Sequence, residues 1–209
     1  MDGLSNALAR TLITRGARRG TLVALYMDKS IEMFLSILAI HKAGGGYVPL
    51  DPEHPTERVQ TIIRLAQTPM VLTTRELEDQ LDSALLDSGV DLVLVDFMKL
   101  TPTTKPDVGM IGRDDISYVL FTSGSTGTPK GIQFVLVNEL LIYCLQGVIL
   151  THGAIIESAV GSREVVGRVD GRVLQFANYT FDASVWVSSS AIVTRKAFLR
   201  LFFRTGVLP

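Results

Sequence analysis

Between residues 21 and 121, short apolar runs alternate with stretches of helical periodicity, and this alternation leaves few folds open. The runs are TLVALY (21–26), GYVPLD (46–51), MVLTT (70–74), DLVLVD (91–96) and ISYVLF (116–121). Each is too short for a stable helix and apolar enough to be a strand buried on both faces. Residues 2–15 carry Leu4, Leu8 and Leu12 at helical spacing and stop near Gly16. Ser30 can cap a helix through IEMFLSILAIHKA, with Gly44 ending it. PTERVQTIIRLAQ starts a helix with Pro55 near its first turn, and RELEDQLDSALLDSG reads as another. Strands alternating with amphipathic helices predict βαβ units on a mostly parallel sheet flanked by helices, an α/β fold. The Pro/Thr-rich TPTTKPDVG (101–109) reads as a surface loop.

Composition narrows the function classes. The chain has 209 residues, 47% of them hydrophobic and 20% charged, which supports a sizeable core and argues against disorder. A net charge of −1 provides no broad basic field to gather nucleic acid, so phosphate recognition would have to be local. Cys144 is the single cysteine, so no intramolecular disulfide can form. Together with His41, His54 and His152 it shows no metal-ligand spacing. MDGLSNALARTLITRG lacks the continuous apolar core of a signal peptide, and a reducing, cytoplasmic setting is the expectation.

Directly after ISYVLF comes TSGSTGTPKG, at the strand end where open α/β sheets bind ligands. Gly124, Gly127 and Gly131 let the backbone bend and approach a ligand closely. Successive N–H groups in such a bend form an anion-binding nest. Thr122, Ser123, Ser125, Thr126 and Thr128 add hydroxyls, and Lys130, preceded by Pro129, adds a point charge. The pattern is not a Walker A loop, which needs Gly-Lys-Ser/Thr where this chain has Pro-Lys-Gly.

YVLFTSGSTGTPKG resembles the phosphate loop of the adenylate-forming, AMP-dependent synthetases and ligases. LSNALARTL, KAGGGYVPLDPEHPTER, ILTHGAI and NYTFDASVW are similar to further motifs of that superfamily, in the same order. The set resembles the peptide-synthetase and carboxylate-reductase branch of that superfamily, with adenylation domains of the nonribosomal peptide synthetase type. The resemblance implies the N-terminal portion of an adenylation domain. It also implies a reaction joining a small carboxylic or amino acid to ATP, with Mg²⁺, as an acyl-adenylate. A downstream carrier protein would then take the acyl group on its phosphopantetheine thiol. By resemblance, Thr122 through Gly131 hold the β- and γ-phosphates, Lys130 and Thr126 act in catalysis, and Asp182 of FDAS binds a substrate ammonium. Phe181 and Tyr179 would pack the substrate pocket. His152 would either line the site or cap a helix. The AGGGYVPLDP motif would set turns, and Trp186 would be core.

The chain departs from this pattern twice. Deleting Ile132–Gly147 joins PKG to VILTHGAI in an uninterrupted family sequence. Eleven of the sixteen residues removed are apolar, and the segment reads as a foreign insert, a translated in-frame intron. Ile132–Leu150 approaches the length of a membrane span, but Glu139 at its centre and the neighbouring Asn138 argue against one. After Trp186 the family continues into another helix and strand, whereas residues 187–209 form a basic and apolar tail. The domain reading is therefore a partial adenylation domain over 1–186, interrupted at 132–147, then a non-family tail. Family motifs expected beyond it, including the catalytic lysine of a C-terminal domain, are missing, so no ATP–pyrophosphate exchange is expected of this polypeptide alone. The competing readings are a non-catalytic remnant with weak phosphate binding, and a membrane-associated protein using the insert or the tail.

Overall fold

Four of the apolar runs become strands buried among the helices between them; the fifth, DLVLVD, is an edge strand and only half-buried, short of the two-sided burial its composition predicts. A computed structural model describes residues 2–85, 89–121, 132–137, 140–145, 147–166, 173–174, 177–185 and 198–199. These fall into two units, Met1–Gly153 and Ala154–Pro209.

In the first unit, β1 (Leu22–Tyr26), β2 (Gly46–Leu50), β3 (Met70–Thr73), β4 (Asp91–Leu94), β5 (Ile116–Phe121) and β8 (Gly147–Thr151) form one sheet in the order β4-β3-β1-β2-β5-β8. Five strands run parallel; β8 alone runs antiparallel, beside β5. The sheet is thus mostly parallel, as the alternation predicts. One face is covered by α3 (Thr56–Ala66) and α4 (Glu78–Leu85). There Ala24, Val48, Val71 and Val119 join Val59, Ile62, Ile63 and Leu81 in a continuous core. By the two-residue period of strands, Val23 and Leu25 point to the opposite face. That is the side of α2 (Ile31–Lys42), against which α1 (Asp2–Thr14) packs.

Local signals are honoured. The Ser30 hydroxyl accepts from the Met33 N–H at 3.0 Å and caps α2. Gly44 takes the left-handed conformation, φ +84°, that ends the helix. Lys42 Nζ reaches across to α1, donating to Ser5 Oγ at 2.8 Å, Asn6 Oδ1 at 2.7 Å and the Asp2 carboxylate. The residue 75–85 stretch differs from a single α-helix: Arg75–Leu77 winds as a tighter 3₁₀ turn before α4 begins. Such tightening is common where a helix starts without a side-chain cap, and Thr74 provides none. The 101–109 loop has no regular structure, but it is strapped to α1. Asn6 Nδ2 donates to Thr103 O at 2.8 Å, Arg10 Nε to Thr104 O at 3.1 Å, and Thr103 N to Gly3 O at 3.1 Å.

Residues 132–137 and 140–145 form a separate two-stranded antiparallel sheet. It consists of β6 (Ile132–Val137) and β7 (Leu140–Leu145), with Ile132 opposite Leu145 and Val137 opposite Leu140. It lies between β5 and β8 in sequence without joining their sheet. α5 (His152–Val166) has its first two residues in the first unit and the rest in the second, where β9 (Val173–Leu174) pairs in parallel with β10 (Phe198–Leu199). Among the described residues, no helix is long and apolar enough to cross a membrane.

Candidate functional site

The carboxyl ends of β1, β2, β3 and β5 lie along one edge of the sheet, because these strands are parallel. Open α/β sheets bind ligands at that edge. The chain leaves β5 there at Phe121, and β8 starts opposite it, with Phe121 paired to Gly147. Everything from residue 122 to 146 therefore leaves and re-enters the sheet at one point. The candidate phosphate loop, Thr122 through Gly131, lies outside the described residues, so Lys130 and Thr126 are placed by sequence alone.

Around this edge the described groups are polar and partly buried. The Tyr26 hydroxyl, at the end of β1, lies 3.4 Å from both Pro52 O and Gln80 Oε1. Burial pushes its pKa up, and the charges of Asp28 and Asp51 add to the effect. Asp51 closes the turn after β2: its carboxylate accepts from the Glu53 N–H at 3.0 Å, and its carbonyl from the His54 N–H at 3.0 Å. Pro55 then stands at the start of α3. Asp51 and Pro52 of the VPLDP motif thus open the turn that connects β2 to α3, whereas Val48, Pro49 and Leu50 are the last residues of β2 itself. Among the described residues, no group of three or more His, Cys, Asp or Glu comes together to hold a metal.

His152 lies elsewhere. It is the first residue of α5, and its N–H donates to Asp115 O at 3.0 Å, just before β5 begins. That is the amino end of a six-residue strand. At about 3.3 Å per residue, the phosphate loop starts roughly 17 Å away at the other end. His152 thus sits at the end of β5 opposite the point where the chain leaves for residues 122–131. Its ring instead packs edge-on against His41, with centroids 4.8 Å apart, a pairing that no sequence spacing announces.

In the second unit, NYTFDAS forms a tight turn. Asn178 Oδ1 accepts from the N–H and the hydroxyl of Thr180, and the Phe181 N–H donates to Asn178 O at 3.0 Å. Asp182 Oδ1 accepts from the Ala183 N–H at 2.7 Å. Tyr179 and Ser184 are buried, whereas Phe181 is 63% exposed and Asp182 is exposed. Asp182 and Phe181 thus sit together on an open surface of the turn. Trp186 lies outside the described residues.

A family model described as "AMP-binding enzyme" matches residues 1–143. Gramicidin S synthase 1 of Brevibacillus brevis is 36% identical over 192 residues, which cover 91% of this chain and 16% of that protein. Nonribosomal peptide synthetase 8 of Aspergillus fumigatus is 35% identical over 198 residues, covering 92% of this chain and 2% of its own length. Among solved structures, the AMPPNP-bound form of the nonribosomal peptide synthetase FmoA3 superposes with a TM-score of 0.74 at 26% identity. That match covers 98% of this chain and 20% of the solved one. The chain therefore spans only a small part of the proteins it matches.

Proposed function

Because the chain belongs to the AMP-binding enzyme family, as an adenylation domain of the peptide-synthetase type, we propose that it is part of an enzyme that activates a small carboxylic or amino acid with ATP. The product is an acyl-adenylate, destined for a carrier-protein phosphopantetheine thiol. One observation carries this reading: TSGSTGTPKG follows directly on β5, at the carboxyl edge of a parallel sheet. Thr122 through Gly131 would cradle the triphosphate with backbone N–H groups and hydroxyls. Lys130 would offset its charge, and Thr126 would act with it in catalysis. Bound ATP supplies the electrophilic phosphorus, and Mg²⁺ would enter with the triphosphate. The exposed carboxylate of Asp182, beside Phe181, would receive a substrate ammonium.

The test begins with ATP binding by the full chain, measured by equilibrium dialysis. Hydrogen bonds to charged groups contribute about 1.5–3 kcal/mol, so Lys130→Ala should weaken binding roughly 10-fold or more. Equal affinity of Lys130→Ala and the parent would count decisively against the loop's assignment. Pyrophosphate exchange with a panel of acids, expected to stay at background for this polypeptide alone, then reads the reaction in a repaired, full-length version of it.

We further propose that Ile132–Gly147 interrupts this domain and that residues 187–209 are foreign to it. The separate sheet of β6 and β7 and the pairing of Phe121 with Gly147 support the first part. A deletion of 132–147 removes one residue from the β5–β8 ladder. It also shortens the loop between those strands, which favours closure by about 0.8 kcal/mol. The two effects oppose each other, so the variant should melt within a few degrees of the parent. A collapse of cooperative unfolding on deletion would mean that the segment is integral.

A further inference from the structure

The β5–β8 ladder is broken at one position. Ile116 pairs with Thr151 and Tyr118 with Leu150, which leaves Ser117 as an extra residue on β5. A bulge of this kind takes a backbone group out of the ladder, and a buried carbonyl so released needs another donor. His41, one residue before the end of α2, provides it. Its Nε2 lies 3.0 Å from Ser117 O and 3.2 Å from Ser117 Oγ. A carbonyl only accepts, so Nε2 carries the hydrogen and Nδ1 of the neutral ring keeps its lone pair. The His152 ring stands edge-on to His41 at 4.8 Å. The N–H groups of His152 and Gly153 donate to Asp115 O and Arg113 O at 3.0 and 2.8 Å. Two imidazoles from two helices thus close over the bulged end of β5.

The surroundings favour neutral rings. Tyr47 of β2 lies 5.7 Å from His41 and stacks on Tyr118 of β5, and burial drives the Tyr47 pKa upward, so it holds its proton. Asp115, just before β5, faces His152, but it is already engaged by Arg19 Nε at 2.8 and 3.0 Å and by the Gly112 N–H at 2.6 Å. Burial raises the Asp115 carboxyl, yet Arg19 and Gly112 hold it below its ordinary value overall. Arg113 adds a positive charge to the same loop, and Lys42 is turned away toward α1. Burial first, then the neighbouring His152, pushes His41 down to about 4. Burial also lowers His152, against the pull of Asp115.

We propose that His41 and His152 form an acid-sensitive latch: the neutral rings hold β8 and the start of α5 against the bulge of β5, and because the rings take up protons more readily once opened, that hold weakens in acid. The strands it secures are those that lead into and out of residues 122–146. The latch stands independently of the proposed reaction. The unfolded chain protonates its imidazoles near pH 6.5, whereas folded His41 does so only near 4. The contribution is therefore whole above pH 6.5 and fades as the pH falls toward 4.

Urea unfolding of the full chain at pH 7.5 and pH 5 tests it. From the His41 site alone, the unfolding equilibrium constant should rise roughly 30-fold between these pH values. His41→Gln keeps a side-chain N–H for Ser117 O but cannot titrate, so that increment should vanish in the variant. Parallel losses in parent and variant would overturn the latch. If His41→Gln does not fold, ring NMR of the unmodified chain decides. His41 signals that stay fixed down to pH 5 are expected, and a folded-state titration near pH 6.5 refutes the proposal.

Discussion

Leu25→Ala should lower the stability of the first unit by about 2–5 kcal/mol, read as a shift in the urea or thermal midpoint. Leu25 is fully buried in β1, the strand between β2 and β3, and pairs in register with Pro49 and Leu72. Truncation removes methyl groups from the closely packed α2 side of the sheet. The surrounding backbone is held by ladders on both sides and cannot collapse into the space. Against a typical total of about 5–15 kcal/mol, this is a large share. Met98→Ala is the matched control: Met98 is 95% exposed, and its loss should move the midpoint by no more than about 0.5 kcal/mol. Equal shifts for the two variants would mean that β1 is not at the centre of the core.

Gly45→Val should cost about 2–3 kcal/mol, or more if strand pairing is disturbed. A Cβ at position 45 would lie 2.7 Å from Thr21 O and 3.3 Å from Ile40 Cγ2. Thr21 O is not free to retreat, since it accepts from the Gly46 N–H at 3.0 Å, and the Gly45 N–H is itself bonded to Ile40 O at 3.0 Å. The added side chain would have to push β2 away from β1 at the point where their pairing begins. Thermal melting of the variant measures the cost. A midpoint equal to the parent's would show that the α2–β2 turn gives way freely.

The five parallel strands of the central sheet were legible in the sequence because they are short apolar runs, each set off by glycine, proline or acidic residues; the antiparallel β8 was not. Ser30 and Gly44 marked the ends of α2 for local reasons that survive in the fold. The position of the candidate loop, at the end of ISYVLF, was legible for the same reason. The histidine pair was not. His41 and His152 are 111 positions apart, and they meet only because β8 turns back beside β5. The bulge at Ser117 is equally silent in ISYVLF, since an extra residue on a strand is defined by its partner strand. The turn carrying Asp182 shows its Asn178 bonds locally, but a substrate site there depends on what surrounds it.

The strap between residues 101–109 and α1 has a consequence for the order of synthesis. The bonds from Asn6 and Arg10 reach partners 97 and 94 positions downstream. During synthesis α1 therefore gains these bonds only after residues 101–109 have followed it.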